Sequence, residues 1–179
     1  MRAQTDGPDL DALLLLDPSD ERLGPLTYDS SLVQTPKLRL PTIVLASEEN
    51  THPIQCNMDD GPDCTLVAPQ QYAALSPATP KLGLKVIGSV HEDVEDPSTI
   101  GTPESIAHLR TYQRYGMAWL ELWLAGDCRA RPYLGGAPLL ADDRIEVYPG
   151  ATAPPACRER RARARRHRAA RRAPSYRGR

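Results

Sequence analysis

The sequence predicts an α/β fold, the second half of a doubly wound sheet, over residues 1–150, followed by a disordered basic tail over 151–179. Three observations lead there. Residues 10–16, 41–47 and 82–90 are short apolar runs bounded by turn residues, which read as strands covered on both faces. A longer stretch after Thr102 repeats apolar residues three and four apart, the spacing of an amphipathic helix. The charge is also segregated. Eleven of the 22 Lys+Arg and one of the 23 Asp+Glu fall in residues 154–179, so the tail carries +10 and the rest −11 beneath a net charge of −1.

The first run, 10–16, is broken only by Asp11 and stopped by Asp17-Pro18-Ser19-Asp20; it reads as a fully buried parallel strand. Residues 21–40 are rich in turn formers and read as a long irregular connection, in keeping with 18 prolines in the chain. The second strand, 41–47, ends in Glu48-Glu49-Asn50. A polar loop follows, with Cys56, Cys64 and Asp59-Asp60-Gly61. The acidic triplet lacks the ligand spacing of a calcium loop and reads as solvated surface. Cys56 and Cys64 are near enough to close a small disulfide loop, which would constrain the unfolded chain by roughly 2–3 kcal/mol. Two reduced thiols fit the spacing equally well, and a zinc site does not.

Residues 69–75 form a short predicted helix before the third strand. Gly88 and Ser89 loosen the backbone where that strand ends, and His91 lies on the loop beyond it. Ligands of open α/β sheets bind at the carboxyl ends of the strands. Histidine is the side chain that exchanges a proton most readily near neutral pH. A loop histidine that only hydrogen-bonds the acidic residues beside it is the plain alternative. Thr102 then offers an N-cap, with Pro103 at the first helical position and Glu104 in the first turn. Ile106, Leu109, Tyr112, Tyr115, Trp119, Leu120 and Trp123 make the apolar stripe, and Gly126 stops the helix. Residues 142–148 add a short edge strand.

In this order the motifs resemble the C-terminal half of the α/β-hydrolase superfamily, over about residues 9–136. Pro41-Thr42-Ile43-Val44-Leu45-Ala46-Ser47-Glu48-Glu49-Asn50 is similar to the penultimate strand of bacterial polyester hydrolases and related lipases. Gly88-Ser89-Val90-His91 is similar to their catalytic histidine loop. Tyr115-Gly116-Met117-Ala118-Trp119-Leu120 through Gly126-Asp127 resembles their closing helix. Leu13-Leu14-Leu15-Leu16-Asp17-Pro18-Ser19-Asp20 looks more like chlorophyllases and platelet-activating-factor acetylhydrolases, which take the triad acid from the end of the earlier strand.

The resemblance implies a serine hydrolase acting on carboxylic esters, with a small-molecule, lipid or polyester substrate and no cofactor or metal. Such chemistry needs a serine to attack, a histidine to take its proton and a carboxylate to orient the imidazole. The superfamily orders these Ser, then Asp or Glu, then His. His91 is the implied base and Asp17 the implied acid, with Glu49 as second choice and Asp20 as third. A polyester hydrolase shows Asp where this chain has Asn50, and an amide cannot supply the charge; that departure favours Asp17. Ordinary turn chemistry is the competing account of an aspartate before proline.

No Gly-x-Ser-x-Gly occurs in the 179 residues. The chain is therefore expected to be a hydrolase truncated at its amino end, with Met1 an internal start, or else a non-catalytic remnant that keeps the fold and binds without reacting. The resemblance and a Cys56–Cys64 pair suggest a secreted or periplasmic protein, although the N-terminus has no signal-peptide core. No apolar run is long enough to span a membrane. The Arg-rich tail invites a nucleic-acid partner by phosphate neutralisation. Against that partner, Tyr176 is its only aromatic, whereas single-strand binders stack bases on several.

Overall fold

The computed structural model describes residues 10–18, 20–21, 35–49, 65–66, 68–94 and 101–154. Four strands form one mixed sheet: β1 (Leu13–Leu16), β3 (Thr42–Ser47), β5 (Lys81–Val86) and β6 (Ile145–Val147), in the spatial order β1-β3-β5-β6. β1, β3 and β5 run parallel, and β6 is antiparallel to β5. β2 (Asp20–Glu21) pairs separately with β4 (Thr65–Leu66) as a two-stranded antiparallel ladder. The helices are α1 (Ala68–Ala74), α2 (Pro103–Leu120), α3 (Pro132–Gly135) and α4 (Ala137–Leu140).

The central strand explains the layering. All six residues of β3 are buried, as a strand covered on both faces requires. Ile43 and Leu45 join Leu82, Leu84 and Val86 on the face covered by Tyr112, Tyr115, Trp119 and Leu122. Val44 and Ala46 turn to the opposite face, where Ala68, Tyr72 and Leu75 meet Tyr148. Helices thus lie on both faces of a mostly parallel sheet, which makes this an α/β protein.

Gly83 shows how tightly the second face is packed. A methyl group there would lie 2.5 Å from Tyr148 Cδ2 and 2.8 Å from Tyr72 Cδ2. Only a residue without a Cβ lets the Tyr72–Tyr148 ring pair, with centroids 5.5 Å apart, lie on the strand. On the other face Gly116 brings α2 close to the sheet, since a methyl there would meet Leu14 Cδ2 at 3.4 Å. Lys81 is also buried; its ammonium donates to the carbonyls of Tyr72 and Leu75 at 3.3 and 2.9 Å and lies 4.7 Å from the centre of the Tyr72 ring. It therefore satisfies carbonyls at the end of α1.

The long helix starts as its sequence predicts. Thr102 Oγ1 accepts from the Ser105 N–H at 3.1 Å, and Pro103 occupies the first turn. The last turn, Glu121–Ala125, widens to π geometry before Gly126 closes it at φ 70.

Three boundaries differ from expectation. β5 ends at Val86, because Gly88 turns at φ 77 and sends the chain away from the sheet. β1 starts at Leu13 and, lying at an edge of the sheet, is half-buried rather than fully buried, with Leu16 45% exposed. α3 and α4 fall where the Pro/Gly content of 132–138 gave no helical signal; prolines in their first turns supply the φ that starts them. Asn50, Cys56, Cys64, Asp59–Gly61 and the tail beyond residue 154 lie outside the described residues. The start of the expected disordered tail is instead bound to the sheet, Thr152 exchanging hydrogen bonds with the Lys81 backbone at 2.8 and 2.6 Å. Among the described residues, no helix is long and apolar enough to cross a membrane.

Candidate active site at the carboxyl ends of the strands

Three neighbouring strands deliver one polar cluster. Asp17 follows β1, Ser47 ends β3, and His91 opens a short 3-10 turn (His91–Val94) beyond β5. Parallel alignment makes this convergence inevitable, since strands running one way finish at one edge. Asp17 stands at φ 42, a left-handed conformation that aspartate tolerates better than most side chains. Its N–H still donates to the Leu45 carbonyl at 2.6 Å, so the turn begins only after the last ladder bond.

The Asp17 carboxylate is fully buried, and an ionised group out of water needs donors. It has three. The Ser47 N–H donates to Oδ1 at 2.6 Å, the Ser47 hydroxyl to Oδ2 at 2.8 Å, and His91 Nδ1 to Oδ2 at 2.6 Å. A carboxylate only accepts, so the His91–Asp17 bond carries its proton on Nδ1. That tautomer puts the basic lone pair of the neutral ring on Nε2. The His91 ring is 50% exposed while its partner is wholly covered. A histidine held in this way takes a proton on Nε2, and the buried carboxylate stabilises the imidazolium that results.

The loop bearing His91 is fastened on two sides. From the β3 side, Glu48 Oε2 accepts from the Gly88 N–H at 2.6 Å and Glu49 Oε2 accepts from the His91 N–H at 3.0 Å. Glu49, the second choice for the acid, thus holds the backbone of His91, whereas Asp17 holds its ring. Asp20, the third choice, lies in β2 and pairs with Leu66 in the separate ladder. From the α2 side, Ser89 donates its hydroxyl to the Val86 carbonyl at 2.7 Å. Its proton is then committed, so the Tyr112 hydroxyl donates to Ser89 Oγ at 2.9 Å. Burial pushes the Tyr112 phenol well above its ordinary range, which keeps it a neutral donor.

A second Asp–His pair lies behind the first. Asp93 Oδ2 accepts from the Val90 N–H at 3.0 Å and from His108 Nδ1 at 2.7 Å. Burial alone would raise the Asp93 carboxyl, but hydrogen bonds from Val90, Ser105 and His108 outweigh it and hold the group below its usual range. Sequence reasoning missed Ser47, Tyr112 and this pair. Tyr112 falls within the apolar stripe of the helix, and His108 falls outside it. The one available signal was Asp93, two residues after His91 and amid acidic neighbours. Among the described residues, no group of three or more His, Cys, Asp or Glu is placed to hold a metal ion. Comparison of the chain with protein-family models and with curated proteins returned no match.

Proposed function

We propose that this chain carries the base and the acid of a serine hydrolase that cleaves carboxylic esters, with His91 as base and Asp17 as acid. The observation that supports it most is the 2.6 Å bond from His91 Nδ1 to a fully buried Asp17 carboxylate at the strand carboxyl ends. In this reading His91 Nε2 takes the proton of an attacking serine and returns it to the departing alcohol. Asp17 stays ionised and fixes the tautomer; Ser47 and Glu49 position the pair. The serine is not within a Gly-x-Ser-x-Gly of these 179 residues, so it comes from another stretch of polypeptide. Small-molecule, lipid and polyester esters all fit the chemistry.

The test joins the chain to the sequence encoded ahead of Met1. One helix of about 11–12 residues and connections of 4–6 residues place the nucleophile motif roughly 20–35 residues before Asp17. The 179-residue chain alone should not turn over a short-chain nitrophenyl ester. The extended chain should, and His91→Ala or Asp17→Asn should lower its kcat by about 10⁴-fold or more. Hydrolysis by the extended chain that is indifferent to His91→Ala would overturn the assignment. The lack of the serine motif favours one other reading, a non-catalytic binding remnant of the same fold. A stop codon and unrelated sequence upstream would select it.

A further inference from the structure

Two Asp–His pairs meet at the six residues 88–93, each contributing one member there, and only one pair faces outward. Gly88 and Asp93 bracket His91, and the His108 ring bonds one end of that bracket and lies beside the other. Its Nδ1 bonds Asp93 Oδ2 at 2.7 Å, and a methyl group on Gly88 would lie 3.6 Å from its Nε2. His108 side-chain exposure is 21% and that of Asp93 is 2%, so the pair is mostly shielded from solvent. Gly88 turns at φ 77, where an L side chain is strained, so nothing but hydrogen occupies the space against the ring. Asp93 also accepts from the Val90 N–H, one residue before His91. His108 sits on α2, which is anchored in the core by Tyr112 and Tyr115.

We propose that Asp93 and His108 are a positioning pair that fixes the His91 loop against α2 and thereby aims the His91 ring at Asp17. The chain of contacts is short. His108 pins Asp93, Asp93 pins the Val90 amide, and the next residue is His91. Glu48 and Glu49 hold the same loop from the other side, but through backbone amides at the surface. A hydrogen bond to a carboxylate that is shielded from solvent defines direction more strictly than exposed contacts do. This inference rests on His91 being the base, and it adds the residues that orient it.

The test uses the whole chain and nuclear magnetic resonance. A proton held between His91 Nδ1 and Asp17 exchanges slowly and resonates far downfield, and Asp17→Asn should abolish that signal. His108→Phe keeps the volume of the ring but removes its donor. It should broaden or abolish the His91 signal while the near-ultraviolet circular dichroism of Trp119 and Trp123 stays unchanged. His108→Asn places an amide N–H close to the position of Nδ1 and should restore the signal. It also serves as the second variant should His108→Phe not fold, with Asp93→Asn expected to lose the signal. An unchanged His91 signal in His108→Phe or in Asp93→Asn overturns the positioning role and leaves the Asp17–His91 pair standing. Absence of an Asp17-dependent signal in the unaltered chain overturns both.

Discussion

At the scale of single residues, the site is governed by what a buried carboxylate demands. Asp17 is placed by a left-handed turn, and its two oxygens receive a backbone amide, a serine hydroxyl and an imidazole. Removing one donor leaves charge in a covered place, which costs more than the net worth of an ordinary hydrogen bond. Ser47→Ala removes the hydroxyl 2.8 Å from Oδ2 and opens little space. It should destabilise the fold by about 1.5–3 kcal/mol, the range for hydrogen bonds to charged groups. Urea unfolding checks it, and a change below about 0.5 kcal/mol would mean that Asp17 does not depend on this donor. The candidate acid and base were legible because each follows an apolar strand, where a polar residue stands out. Ser47 was not, because a serine ending a strand looks like any strand end until the fold brings β1 beside β3.

At the scale of elements, two contacts decide how the layers are held. Gly83→Ala drives a methyl into Tyr148 and Tyr72, both of them buried rings with little room to give. Overpacking of this kind costs about 1–3 kcal/mol. The same urea measurement should show it, with the loss confined to stability if the tyrosine pair is only a packing element. The second contact joins α2 to the chain before β6. Asp142 accepts from Arg144 Nε and Nη2 at 2.7 and 2.6 Å, from the Tyr115 hydroxyl at 2.8 Å and from Arg114 at 3.2 Å. The Arg144 guanidinium chiefly holds its carboxyl down to about 2, against the opposing effect of burial. A carboxyl lowered in the folded state stabilises it at any pH above its unfolded value near 3.8. That contribution fades as pH falls from about 4 towards 2. After discounting for solvent at the half-exposed Arg144, it amounts to on the order of 1–2 kcal/mol. Asp142→Asn should therefore flatten the loss of stability across that pH window, and a profile identical to the unaltered chain would refute the pairing. The long helix, both ends included, was legible because Thr102, Pro103 and Gly126 punctuate a clear apolar stripe. The Asp142 network was not, because its partners on α2, Tyr115 and Arg114, are 27 and 28 residues away in sequence and meet it only when α2 packs beside β6.

At the scale of the whole molecule, the two ends of the described sheet differ in direction and length. β6 caps β5 in antiparallel fashion, while β1 ends the order with its far edge uncovered by any described strand. The apolar run at 10–16 does not say that no described strand lies beyond its outer edge, because hydrophobicity reports burial on faces and not pairing at edges. Leu13 and Asp17 turn their N–H groups to β3, bonding the carbonyls of Pro41 and Leu45. By strand alternation Leu14 and Leu16 turn theirs outward. Leu10 and Leu16 are 56% and 45% exposed beside that edge. A row of amides with no described strand beside it, flanked by leucines, is a template for another strand. Lysine at an edge opposes such pairing, since a second chain would bury or crowd the charge. The 179-residue chain should therefore self-associate at micromolar concentration, and Leu16→Lys should shift it towards monomer without loss of the cooperative unfolding transition. Sedimentation velocity of both proteins over a tenfold concentration range decides it. A concentration-independent monomer for the unaltered chain would mean that the β1 edge is covered within the molecule, and identical association of the two proteins would place the contact elsewhere.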